Sequence, residues 1–206
     1  MLSVYCNIMI LFVVNLAIMA SSAFYSAEYC ESKDVYDLIH EEALKTCVDS
    51  KSYEKKSKII SEIIEIEKKY NLPDSMKGLA VAAACQESRF NPKARGDRKF
   101  SKRNLPKAVG LYQMWSWWEK GKYGYGIDRE DVQQSTDAFL KHIAKQIPKV
   151  KKTCRYRTEE RIWIAAWVHA IRAPKKGGRC NQRPKHLRVL RRWQRSIKKL
   201  CKEGGC

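Results

Sequence analysis

From Leu79 to Cys85 the chain reads Leu-Ala-Val-Ala-Ala-Ala-Cys, with no polar side chain to turn toward water. Alanine is the best helix former, so the run predicts a helix, opening at Pro73-Asp74-Ser75 and continuing to Glu87. A helix that is apolar on nearly every face has to be surrounded, and the rest of the chain must supply the cover. A second run of this kind, Arg161–Arg172, follows Thr158-Glu159-Glu160, where the acids suit the positive end of a helix dipole. With 206 residues there is material for one domain with a substantial core.

The covering segments are also helical in pattern. Asp34–Val48 predicts one helix. Ser52 is placed to cap another, in which Ile59, Ile63, Ile66 and Tyr70 recur at helical spacing before Asn71-Leu72-Pro73 ends it. Asp131–Ile147 carries Phe139, Ile143 and Ile147 on one stripe, and Pro184 opens a last helix with Leu190, Trp193, Ile197 and Leu200 inward. No convincing strand pair stands out. The expected fold is mainly α, a helical core over residues 73–206 preceded by a short N-terminal helical appendage over residues 24–72.

Residues 1–23 read as a signal peptide. An apolar run over residues 8–20 is followed by Ser21-Ser22-Ala23, small residues that suit cleavage after Ala23. The run is too short for a comfortable membrane span. Export agrees with the cysteines. Apart from Cys6 there are Cys30, Cys47, Cys85, Cys154, Cys180, Cys201 and Cys206, none with zinc-ligand spacing, so disulfides in an oxidising compartment are expected. Seven is odd, which leaves one thiol over, and the connectivity stays open.

The net charge of +19 is unevenly spread: residues 24–72 hold 8 basic and 11 acidic side chains, residues 73–206 hold 33 and 11. Such a field attracts polyanions. Arg172–Cys206 alone carries 13 Lys/Arg against Glu203. This run is either the solvated face of the last helix or a patch that holds the chain on an anionic surface, and the second reading is favoured. Nucleic acid is disfavoured as a partner by the signal peptide, the cysteines and the lack of any nucleic-acid motif.

Glu87 stands at the end of the apolar helix. A carboxyl enclosed by such residues keeps a proton to donate, as a general acid must. The segment Gln86-Glu87-Ser88-Arg89-Phe90-Asn91-Pro92-Lys93-Ala94 closely resembles the first motif of the soluble lytic transglycosylases. Ala108-Val109-Gly110-Leu111-Tyr112-Gln113-Met114 resembles their second, and Ala165-Ala166-Trp167-Val168-His169-Ala170 falls where their third belongs. The resemblance runs from Pro73 to Trp193.

It implies a lysozyme-like helical fold, shared with the goose-type lysozymes, and the β-1,4 bond between N-acetylmuramic acid and N-acetylglucosamine as substrate. Glu87 would be the acid, Ser88 would hydrogen-bond near the reacting sugar, and Gln113 would contact the glycan. The substrate's own N-acetyl oxygen supplies the second group, with no cofactor and no metal. The partners implied are peptidoglycan strands and anionic wall polymers, in a periplasmic or secreted location.

The chain departs from the family pattern in two places. Trp167 and Val168 replace a Tyr and an Asn of the third motif, and Tyr112 replaces a Met, which returns a hydroxyl to the neighbourhood. Gly110 lies twenty-three positions after Glu87, more than is usual, and Gly96-Asp97-Arg98 between them resembles the Gly-Asp-Arg of goose-type lysozymes. Asp97 is therefore a candidate for positioning water, against the ordinary alternative of a surface ion pair with Arg95, Arg98, Lys99, Lys102 or Arg103. Trp115, Trp117, Trp118, Tyr123 and Tyr125 follow the second motif. Aromatic faces suit sugar rings, and Trp115 and Tyr125, with Tyr112 and Trp167, are expected on the substrate side. Transglycosylation to a 1,6-anhydro product is favoured, because the muramic 6-hydroxyl is already tethered to the reacting ring. The alternatives are hydrolysis with Asp97 holding the water, or an impaired glycan-binding module.

Overall fold

The computed structural model describes residues 33–98, 107–119, 125–155, 158–171, 180 and 187–203. The signal peptide, Cys6, Cys30, Lys99, Lys102, Arg103, Tyr123, Pro184 and Cys206 lie outside these residues, as do the side chains of His169 and Leu200. The helices are α1 (Val35–Cys47), α2 (Tyr53–Glu67), α3 (Leu79–Ser88), α4 (Val132–Ala144), α5 (Ile147–Thr153), α6 (Glu159–Ile171) and α7 (Leu187–Glu203). The fold is mainly α.

Helix α3 occupies the centre, and every residue from Leu79 to Cys85 is buried. Helices α1, α2, α4 and α7 pack around it, and α6 packs on α4 and α5. The N-terminal helices are not an appendage. Ile39, Ala43, Ile60 and Ile63 belong to the same buried cluster as Leu79, Leu140 and Trp193. The Trp193 indole donates to Thr46 Oγ1 at 2.9 Å, tying α7 to α1. The reason lies in α3 itself, since a helix apolar all round needs cover on more faces than residues 89–206 provide.

Several local expectations change in detail. Residues 74–76 form a 3₁₀ turn, and α3 begins only after Gly78. Ser52 makes no side-chain cap; Asp49 accepts from the Ser52 amide instead, at 3.1 Å. The single helix expected over Asp131–Ile147 is two, with Asp131 capping α4 and Pro148 in the first turn of α5. The chain also contains a sheet. β1 (Arg95–Gly96), β2 (Ala108–Val109) and β3 (Met114–Trp115) form an antiparallel sheet in the order β1-β2-β3.

Two disulfides, Cys47–Cys85 and Cys154–Cys180, join α1 to α3 and the end of α5 to residue 180. Cys201 is disulfide-bonded as well. Disulfides of this kind fit an oxidising compartment. Among the described residues no helix is long and apolar enough to cross a membrane.

Candidate active site

Helix α3 carries Glu87 and is fixed at its other end by a buried acid. Gly78, just before the helix, has no side chain to cap it. The carboxylate of Glu67, at the end of α2, takes that place and accepts from the amides of Gly78 at 2.5 Å and Ala80 at 2.6 Å. These are amides that a helix N-terminus leaves without intrahelical partners. Glu67 is fully buried. Burial pushes its carboxyl up to about 7, while the Ala80 and Gly78 amides and the Tyr36 hydroxyl pull it back.

At the far end Glu87 opens into a cleft of about 350 Å³. The expectation that apolar side chains enclose it is corrected, because burial stops at Cys85 and Glu87 is exposed. The helix ends there: Arg89 and Phe90 adopt left-handed backbone, with φ 50° and 59°, and turn the chain away from the helix axis toward β1.

Across the cleft stands the small sheet. Asp97 immediately follows β1 and lines the same cleft as Glu87. Its Oδ2 accepts the Trp115 indole N–H at 2.9 Å. Arg95, one of the cations expected beside Asp97, pairs with Glu130 instead. Gln113 also lines the cleft, its Nε2 donating to the Gly110 carbonyl at 3.0 Å. Asp97 and Gln113 both have positive φ, 56° and 48°. For residues other than glycine this conformation is uncommon, and it recurs at functional sites.

The glycines of this region have steric reasons. A Cβ on Gly96 would lie 2.1 Å from Gln113 Oε1, and one on Gly110, at φ +82°, would lie 2.0 Å from the Arg129 carbonyl oxygen. At Gly96 the Gln113 side chain would have to give way, whereas at Gly110 the obstacle is the Arg129 backbone and the turn after β2 would have to shift.

One wall is aromatic. Trp115 and Trp117 are 37% and 40% exposed, enough to offer a ring face to a ligand, and both line the cleft. Lys107 Nζ sits 5.3 Å from the centre of the Trp115 ring. Trp117 stacks on Trp118, and Trp118 on Tyr125. His142 clamps this stack from beneath. Its Nε2 lies 3.2 Å from the Ala170 carbonyl, which only accepts, so Nε2 carries the proton and Nδ1 accepts from the Tyr125 hydroxyl at 2.9 Å. Burial lowers the His142 pKa, with Lys145 adding to the effect and the Ala170 bond opposing it.

The other expected residues fall outside the reacting region. Ser88 Oγ donates to the Ala84 carbonyl at 3.0 Å, within its own helix, and Ser88 does not line the cleft. Tyr112 lines it with its ring, but its hydroxyl bonds Thr136 Oγ1 at 3.0 Å, so it is not returned toward Glu87. Tyr125 supports the wall from behind. Trp167 is fully buried and meets Phe139 edge-on at 6.2 Å, while Phe139 stacks on Tyr112 at 4.4 Å. Trp167 therefore backs the cleft from the core without lining it; α6 reaches the surface of the cleft at Ala170, one turn later.

Sequence reasoning passed over Glu67, His142 and Arg129. Arg129 Nη1 donates to the carbonyls of Lys107 and Met114, at 3.2 and 2.8 Å, and its Nε pairs with Glu119 at 2.8 Å. It thereby holds β2 and β3 together at the rim. Nothing in the run Asp128-Arg129-Glu130-Asp131 marks it, since its partners lie 15 and 22 residues away. Compared with known proteins, the chain matches no family model, no curated protein and no solved structure.

Proposed function

We propose that this chain is an exported enzyme that cuts peptidoglycan strands at the β-1,4 bond between N-acetylmuramic acid and N-acetylglucosamine. The observation that carries the reading is one cleft lined by Glu87 and Asp97 from separate elements, walled by Trp115 and Trp117. A strand lying across the two indoles covers Glu87 and excludes water from it. Glu87 then donates its proton to the glycosidic oxygen as the bond to the anomeric carbon breaks, and the substrate's N-acetyl oxygen steadies the charge left there. Asp97, held by the Trp115 indole, accepts the proton of a water that attacks the opposite face of the sugar, the role a second carboxylate takes in hydrolysis. Gln113 offers its amide to the glycan.

Transfer to the muramic 6-hydroxyl is the second reading, supported by the close resemblance of Gln86–Ala94 to the transglycosylase motif. Glu87, deprotonated in the first step, would accept the hydroxyl proton, giving a 1,6-anhydro end.

Glu87→Gln keeps the shape of the side chain and cannot give up a proton. Turbidity clearing of purified peptidoglycan should fall by about 10²–10⁴-fold, the usual worth of a general acid. Clearing by the variant at more than about a tenth of the wild-type rate would remove Glu87 as the acid. No clearing by the wild type would favour a glycan-binding module.

A further inference from the structure

We propose that an arginine-lined groove along α7 is a second binding site, for a phosphodiester polymer of the cell wall such as a chain of glycerol phosphate units. The proposal rests on the wall-acting reading above and gives the positive half of the chain a defined partner.

Helix α7 buries Leu187, Leu190 and Trp193 against the core. Its outer side borders a groove of about 630 Å³ whose lining, among the described residues, sets Arg188, Arg191, Arg192, Arg195 and Lys198 against one carboxylate, Glu160. Glu160 pairs with Arg191 at 2.9 Å. Arg192 also lines a smaller hollow of about 220 Å³, together with Gln86 and Arg89 beside the Cys47–Cys85 disulfide. One side chain thus borders both depressions, and the basic surface continues from α7 to the end of α3. Among the described residues the glycan cleft shares no lining side chain with either, so an occupant of the groove leaves that lining free.

The chemistry of the lining selects the ligand. Among the described residues, four of the five cations lining the larger groove are arginines. A guanidinium presents a planar fork that pairs with two phosphate oxygens at once, whereas lysine acts as a point charge. Arg188, Arg192 and Arg195 follow one another at intervals of four and three residues, rises of about 6 and 4.5 Å along the helix. A regular row of cations matches a polymer with a charge on every repeat better than the scattered carboxylates of peptide stems. Among the described residues no aromatic side chain lines the larger groove, so it lacks the stacking platforms that single-stranded nucleic acids use.

The test is binding of the full chain to a synthetic glycerol phosphate polymer, followed by fluorescence anisotropy across a salt series. Polyglutamate and duplex DNA serve as comparison polyanions. Each phosphate contact on a single chain contributes about −0.7 to the slope of log K against log salt, so four to five contacts give about −3. The triple variant Arg188→Gln, Arg192→Gln, Arg195→Gln should flatten the slope by about 2 and weaken binding at least about tenfold. Lysine at the same three positions should keep the slope but lose affinity, because the charge remains and the fork is gone. Should the triple variant fail to fold, Arg188→Gln and Arg195→Gln measured singly should each flatten the slope by about 0.7.

Unchanged binding by a folded triple glutamine variant would overturn the proposal. So would DNA or polyglutamate bound as tightly as the glycerol phosphate polymer. Because binding is read without cleavage, a chain that binds the polymer but leaves peptidoglycan uncut keeps this site and loses only the catalytic reading.

Discussion

Replacing Asp97 by Asn keeps an acceptor for the Trp115 indole and removes the negative charge. Products of water attack should then fall by about 10²-fold or more, in line with loss of a positioned base, while any anhydro product persists. Chromatography of the digests separates the two. Glu87, Asp97 and Gln113 share one cleft, and each lies in a short motif whose neighbours fix the local backbone, which is what makes their proximity legible in the sequence. Glu67 and His142 were not legible. The value of each comes from partners far along the chain: Glu67 from the amides at residues 78 and 80, His142 from Ala170 and Tyr125. Trp167 misled for the opposite reason. Its place in the third motif pointed to the substrate side, but a bulky indole on an all-apolar helix finds its place in the core.

Helices were readable from their period, and the sheet was not. Strands of two residues are too short to show alternation, so β1, which places Asp97 just beyond its end, has no signature in the sequence. The Glu67 cap at the start of α3 gives a prediction of its own. Glu67→Ala leaves the Gly78 and Ala80 amides buried without acceptors and should destabilise the fold by about 2–4 kcal/mol, seen as a lower melting temperature. Titration adds a sign. The folded protein holds the Glu67 proton up to about 7, against an ordinary value of 4.5, so the folded state binds more protons between those limits. Its contribution is full below 4.5 and is lost as pH rises through about 7. His142 runs the other way. Its pKa is lowered from 6.5, so its contribution is full above that value and is lost as pH falls below it. Melting temperatures of Glu67→Gln and His142→Gln across pH should separate the two, each variant flattening one limb of the wild-type profile.

One core from α1 to α7 explains why the charge boundary near residue 72 is not a structural boundary. The break in composition suggested a separate appendage, yet the buried faces of α1 and α2 are complementary to α3 whatever their outer charge. The Cys47–Cys85 disulfide spans this boundary across 38 residues. In the chain-entropy account a loop of that length is worth about 4 kcal/mol. Reduction should therefore lower the melting temperature, and an intact mass with all cysteines free would contradict the disulfides. The catalytic reading is tested most directly by mass spectrometry of fragments released from defined peptidoglycan. Glycan fragments from the wild type ending in free reducing sugars, one water heavier than anhydro ends, and their absence with Glu87→Gln, are the predicted result. Intact strands after wild-type digestion, or the same fragments from the Glu87→Gln protein, would contradict it.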